Sequence, residues 1–169
     1  MDTFETIFTR RSIRSFTPQE ISETDITHIL SAAMSAPSAG NAQPWDFIVV
    51  RDQAGREAIT QCTPYAGMAP QAPVCVIVCA DTSREKYPGF WVQDCAAAMQ
   101  NLLLAARAKD IGSVWIGIHP VEDRIATVKK LFGLPAQVMP LGIAVLGYSD
   151  QKFTEHNRYN AAKVHHETW

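Results

Sequence analysis

Near the start of the chain Phe4, Ile7 and Phe8 recur at helical spacing behind a capping Asp2, which predicts a helix from about Asp2 to Arg10. A second amphipathic stripe is longer: Ile26, Ile29, Leu30, Ala33 and Met34 follow Ser22 and Asp25. Those two residues resemble a capping box with Asp in the place of the usual Glu. Pro37 ends this helix, and after the loop from Ser38 to Pro44 the run Trp45-Asp46-Phe47-Ile48-Val49-Val50 reads as a strand. Further along, the pattern predicts a helix around Gly55 to Cys62 and a strand from Ala72 to Ala80. A strand from Ser113 to Ile118 and a helix from Val121 to Phe132, stopped by Gly133 and Pro135, come next. The last strand runs from Val138 to Gly147.

The segment from Trp91 to Lys109 is apolar around much of its circumference, so as a helix it needs cover on several sides. Either a second copy of the chain or a central place within one fold supplies that cover. Two helices precede any strand, which points to an α+β, three-layer arrangement with a mixed, mostly antiparallel sheet between helices. A dinucleotide fold of the Rossmann type is disfavoured, because Gly40 is the only glycine before Val50 and the phosphate turn of that fold needs several. No linker or repeat divides the chain, so residues 1–169 are expected to form one domain. The polar tail from Tyr148 ends in Trp169, an aromatic that suggests docking.

Composition narrows the functional classes. With 47% hydrophobic and 19% charged residues the chain is ordinary for a globular protein, and no apolar run is long enough to span a membrane. The opening residues are acidic and lack a signal-like apolar stretch, so a cytoplasmic location is expected. A net charge of −2 and a pI near 6.2 give no basic field for nucleic acid or an anionic membrane, which leaves a small organic partner. Cys75 and Cys79 lie four apart in a strand, about 13 Å, too far for one disulfide or one metal ion. Together with the isolated Cys62 and Cys95 they are expected to be reduced structural thiols. The five histidines have no metal-ligand spacing.

Two stretches carry candidate chemistry. Arg10-Arg11-Ser12-Ile13-Arg14 is the densest positive cluster, and guanidinium forks suit a phosphate or the polar edge of a heterocycle. The alternative is a C-terminal cap on the first helix, where cations meet the negative end of the dipole. Ala36-Pro37-Ser38-Ala39-Gly40-Asn41-Ala42-Gln43-Pro44-Trp45 packs a hydroxyl and two carboxamides between prolines, either as a rigid recognition loop or as an ordinary turn.

At these stretches the chain resembles the nitroreductase family of flavoproteins along nearly its whole length. Four places carry the likeness: residues 10–14, residues 37–45, Gly133-Leu134-Pro135 leading to the segment from Pro140 to Tyr148, and Arg158 near the end. The resemblance implies that Arg10, Arg11 and Ser12 contact the phosphate, ribityl chain and pyrimidine edge of FMN, with Arg14 as a further positive group. Which arginine serves which end stays open at this point. It also implies that Pro37, Ser38, Asn41 and Gln43 reach the flavin from the partner of a homodimer with exchanged terminal extensions. Gly117 would then pass close to the ring system, and Arg158 would hold the phosphate. Compared with longer relatives, only Asp81 to Phe90 separates a strand from the central helix, so the pocket is either more open or roofed by Tyr65, Phe90 or Trp91.

The implied activity is a ping-pong oxidoreduction in which NADH or NADPH delivers hydride to FMN and is replaced by a nitroaromatic, quinone or enone. No side-chain nucleophile is required, because the hard chemistry belongs to the cofactor. The alternatives are a specialised family member that dehalogenates its substrate or fragments flavin, and a flavin-binding or redox-sensing module without nicotinamide turnover.

Overall fold

The computed structural model describes residues 2–169. Helix α1 (Thr3–Thr9) starts at Asp2, whose carboxylate accepts from the Glu5 amide at 2.9 Å. Helix α2 (Glu23–Met34) starts at Ser22, whose hydroxyl oxygen accepts from the Asp25 amide at 3.0 Å. In place of a reciprocal box, the Asp25 carboxylate accepts from the Ser22 hydroxyl at 2.8 Å and from Lys109 at 2.7 Å. Lys109 and then Ser22 hold that carboxyl below its usual range. The shorter Asp side chain thus ties α2 to the end of the central helix.

Strands β1 (Trp45–Val50) and β4 (Val138–Gly147) have the bounds expected from the sequence. Helix α3 (Gln53–Ile59) begins earlier than its pattern suggests, because Asp52 caps it by accepting from the Gly55 amide at 2.6 Å. Two short 3-10 turns, Pro64–Ala66 and Ala69–Gln71, then lead to β2 (Val74–Asp81). Helix α4 (Trp91–Ala108), β3 (Gly112–Gly117) and α5 (Glu122–Phe132) complete the order, and Gly133 closes α5 in a left-handed conformation at φ 64°.

The sheet order is β1-β2-β4-β3 with every neighbour antiparallel. Strand β2 is covered on both faces, so period-two alternation divides its residues between two cores. Val74, Val76, Val78 and Ala80 join α2 and α4. Cys75, Ile77 and Cys79 join Ile59 of α3 and Val128 of α5. The result is the expected three layers, and all four cysteines are free, buried thiols. Among the described residues no helix is long and apolar enough to cross a membrane.

The parallel component of the sheet is a single bridge between Ser12 and Ser113, where the Ile13 amide donates to the Ser113 carbonyl at 2.9 Å. Ile13 is 3% exposed and sits against Gly112, where an added Cβ would lie 2.9 Å from Ile13 Cγ2 and 3.0 Å from the Gly147 carbonyl oxygen. The glycine is therefore a notch that lets the segment after α1 lie along the sheet edge.

Two outcomes follow from this packing. Gly112→Ala should cost about 1–3 kcal/mol by forcing Ile13 off the sheet, measured as a lowered urea midpoint with an unchanged m-value. Burial pushes the thiols of Cys75, Cys79 and Cys95 up to about 12 from a usual 9.0. Native protein at pH 8 should therefore resist iodoacetamide at these positions and react fully in denaturant, as read by mass spectrometry. Because the folded values lie above the unfolded one, the native state keeps protons that the unfolded chain releases. Their stabilising contribution is complete below pH 9 and is lost as the pH rises toward 12.

Candidate functional site

The chain leaves α1 at Arg10 with extended backbone (φ −58°, ψ 129°) and runs on beside β3. Alternation along this stretch buries Ile13 and leaves Ser12 and Arg14 exposed. Arg10 and Arg11 meet Arg158 of the tail around a depression of about 550 Å³, whose other walls include Ile7, Phe8, Glu155 and Tyr159. None of the three guanidinium groups forms an ion pair among the described residues. Burial, then repulsion from Arg11 and Arg158, pushes Arg10 below the usual arginine range. Arg11 is pushed down by burial and Arg158, with Glu155 acting in the opposite sense. Arg11 also caps α1, donating to the carbonyls of Arg10 at 2.6 Å and Phe8 at 2.8 Å, while its buried Nε has no partner. The capping role offered as an alternative is thus real for Arg11, and the charge remains available to the cluster.

Arg14 lies on a second depression, of about 500 Å³, with Tyr65, Trp115, Gly117 and Arg124. Four residues of extended chain separate Arg10 from Arg14, about 13 Å. Gly117 is exposed, and a Cβ added there would meet no atom within 4 Å, so the strand end faces open space. Arg124 donates to the Gly117 carbonyl at 2.9 Å and stands 5.6 Å from the centre of the Tyr65 ring, itself 70% exposed. This end is aromatic and cationic.

The loop after α2 is held in an uncommon shape. Gly40, Asn41 and Gln43 adopt positive φ values of 58°, 54° and 48°. For Gln this is costly unless the surroundings enforce it. The Ser38 hydroxyl accepts from the Gln43 amide at 3.0 Å, and the Gln43 side chain donates to Asn41 Oδ1 at 3.1 Å. From outside the loop, Asp94 accepts from the Ala39 amide at 2.9 Å and Lys86 donates to the Gly40 carbonyl at 2.6 Å. Asn41 and Gln43 are left exposed, whereas Trp45 is 6% exposed and anchors the loop in the core. Pro37 and Ser38 line a third depression, of about 380 Å³, with Phe90, Gln93, Asp94 and Ala97.

Within one chain the candidate residues therefore fall into three groups. Arg10, Arg11 and Arg158 share one depression, and Arg14 and Gly117 share a second beside the exposed Ser12 segment. Pro37 and Ser38 belong to neither, and Asn41 and Gln43 stand on their loop. Of the candidate roofs, Tyr65 belongs to the Arg14 depression and Phe90 to the loop side. Trp91 is buried edge-on against His119 at 4.8 Å and lines none of the three depressions described above. Sequence reading missed Lys86, Asp94, Arg107 and Arg124. The signal for Asp94 and Arg107 was available, since both are charges on an otherwise apolar helix and a buried charge must be partnered. Arg124 is a cation in the first turn of α5, where the dipole disfavours it. Asp94→Ala leaves the Ala39 amide without its partner and should cost about 1–3 kcal/mol. Faster amide hydrogen exchange confined to residues 39–43 would mark the loss of bracing.

The sequence profile described as the nitroreductase family matches residues 7–63 and 60–148. A protein of Methanothermobacter thermautotrophicus, provisionally named NADH dehydrogenase/NAD(P)H nitroreductase, is 46% identical over 169 residues, covering 100% of this chain and 88% of that protein. A crystal structure of a provisionally named NADH dehydrogenase/NAD(P)H nitroreductase from Parabacteroides distasonis superposes with a TM-score of 0.94 at 38% identity, covering 99% of this chain and 98% of the other. A provisionally named nitroreductase of Desulfovibrio desulfuricans solved in complex with FMN gives a TM-score of 0.85 at 28% identity, covering 100% and 99% of the two chains. A match that spans almost all of the sheet and helices, with this identity over the full length, places the chain in the nitroreductase family.

Proposed function

We propose that this protein is an FMN-dependent oxidoreductase that passes hydride from NADH or NADPH to a small organic acceptor, with each flavin seated between two copies of the chain. The observation that carries the reading is the cluster of Arg10, Arg11 and Arg158, three mutually repelling cations around one depression without an ion-pair partner among the described residues. A dianionic phosphate ester satisfies such a cluster, and the partnerless Nε of Arg11 is consistent with a donor set built for an anion. The residues present thus fit FMN. Arg10, Arg11 and Arg158 would hold its phosphate, Ser12 its ribityl chain and Arg14 its pyrimidine edge. The open space at Gly117 leaves room for the ring system.

Pro37, Ser38, Asn41 and Gln43 would complete the pocket from the partner subunit, since in one chain they line neither of the arginine depressions. Support for a second copy comes from the outer face of the fold. Phe4, Ile7 and Phe8 of α1 are 70%, 43% and 46% exposed, beside an open groove lined by Ala32, Leu104 and Ala105. Apolar surface of this kind calls for a partner. A homodimer would also cover the outer side of α4, whose inner side is already under the sheet.

When bound, FMN supplies a two-electron carrier that lets hydride pass from a nicotinamide to a nitroaromatic, quinone or enone in a ping-pong sequence. The chain's own residues contribute position and charge. Arg14 would place a cation beside the ring end, where it would stabilise negative charge on the reduced flavin. Arg124 fixes the strand end through the Gly117 carbonyl, and Tyr65 offers an aromatic wall against water.

Protein loaded with FMN should be bleached anaerobically by NADH or NADPH and recover its yellow colour with menadione or a nitroaromatic. Bound flavin that neither nicotinamide bleaches would mark a binding module and overturn the enzymatic reading. The shared pocket has its own check: dimers pairing an Arg10→Ala subunit with an Asn41→Ala subunit should retain about one flavin of two. Loss of both flavins from such dimers would refute the trans arrangement.

A further inference from the structure

The cationic cradle is assembled from two segments far apart in sequence, the end of α1 and the tail that carries Arg158, and Arg107, outside the cradle, touches a residue of each. Arg107 of α4 is 6% exposed. Its Nε donates to the Thr9 hydroxyl at 2.9 Å, and its Nη1 donates to Asp110 at 2.6 Å. The flat face of the same guanidinium lies 4.0 Å from the centre of the Phe153 ring. Thr9 immediately precedes Arg10. Its own hydroxyl proton is given to the Glu5 carbonyl at 2.6 Å, which leaves an oxygen lone pair for Arg107.

Phe153 has the corresponding place in the tail. Earlier tail residues are tied to the body, since Tyr148 accepts from the Thr17 amide at 2.8 Å and the Ser149 hydroxyl donates to the Ser15 carbonyl at 2.6 Å. From residue 154 to residue 169 every position is exposed, so Phe153, itself half-buried, is the last anchor before Arg158. An arginine suits this post because its edge and its face bind different partners at once, whereas a lysine ammonium offers only a point charge.

We propose that Arg107 is a positioning residue for the phosphate cradle, gripping Thr9 with the edge of its guanidinium and Phe153 with its face so that Arg10 and Arg158 converge on one anion. The inference rests on the FMN reading above. It makes a prediction that general destabilisation does not, because riboflavin shares the ring and ribityl chain of FMN but lacks the phosphate that the cradle reads.

The test is a titration of the full-length, flavin-free protein with FMN and with riboflavin, followed by flavin fluorescence, in wild type, Arg107→Lys, Phe153→Leu, Phe153→Tyr and the Arg107→Lys/Phe153→Leu double variant. Arg107→Lys and Phe153→Leu should each weaken FMN binding about tenfold and leave riboflavin within about twofold. Phe153→Tyr keeps the aromatic face and should bind FMN like wild type. The double variant should be little weaker than either single variant, because both lesions open one clamp. Equal losses for both flavins would show general damage and overturn the proposal, as would fully multiplicative losses in the double variant. Phe153 lies in the tail, so its variants keep the test decisive even where Arg107→Lys folds poorly. Wild type with no preference for FMN over riboflavin would sink the functional reading along with the clamp. A wild-type preference that the variants retain would sink the clamp alone.

Discussion

Ile13 seated against Gly112 is the contact on which the candidate site depends. Burying an isoleucine side chain is worth about 1.5–3 kcal/mol, and here that stabilisation fixes the register of the segment after α1. Once Ile13 faces inward and its amide bonds to Ser113, alternation turns Ser12 and Arg14 outward. A shift by one residue would bury a guanidinium or a hydroxyl in the core and expose the isoleucine. The register of this segment, and with it the outward placement of Ser12 and Arg14, is therefore specified by a buried apolar residue.

The loop from Pro37 to Trp45 uses a different strategy. No sheet register holds it before Pro44, and three of its residues carry positive φ. The shape is imposed from both sides, by Asp94 and Lys86 outside and by Ser38, Asn41 and Gln43 within. The carboxamides are thus oriented before any ligand arrives, which lowers the ordering cost that a flexible loop would incur on binding.

Much of this was legible in the sequence, for physical reasons that can be named. The bounds of β1 and β4 follow from sharp changes in apolar content, and the three layers were expected from two helices preceding any strand. The inertness of the cysteines followed from strand spacing and burial. What escaped were features that depend on tertiary contact. The 3-10 turns between Cys62 and Val74 have no periodic signature. The bracing by Asp94 and the grip of Arg107 each join residues separated along the chain. Single-sequence periodicity reports faces, not partners. Trp45 shows the converse, an aromatic grouped with the recognition loop that belongs to the core.

The division of candidate binding groups among separate depressions has a thermodynamic corollary. A ligand that must touch the arginine cradle of one chain and the amide loop of another can bind tightly only to an assembled pair. By linkage it then strengthens the assembly by the same factor. Under the proposed shared pocket, coenzyme content and quaternary structure would become one equilibrium, in which diluting the protein would shed the ligand and withholding the ligand would loosen the pair.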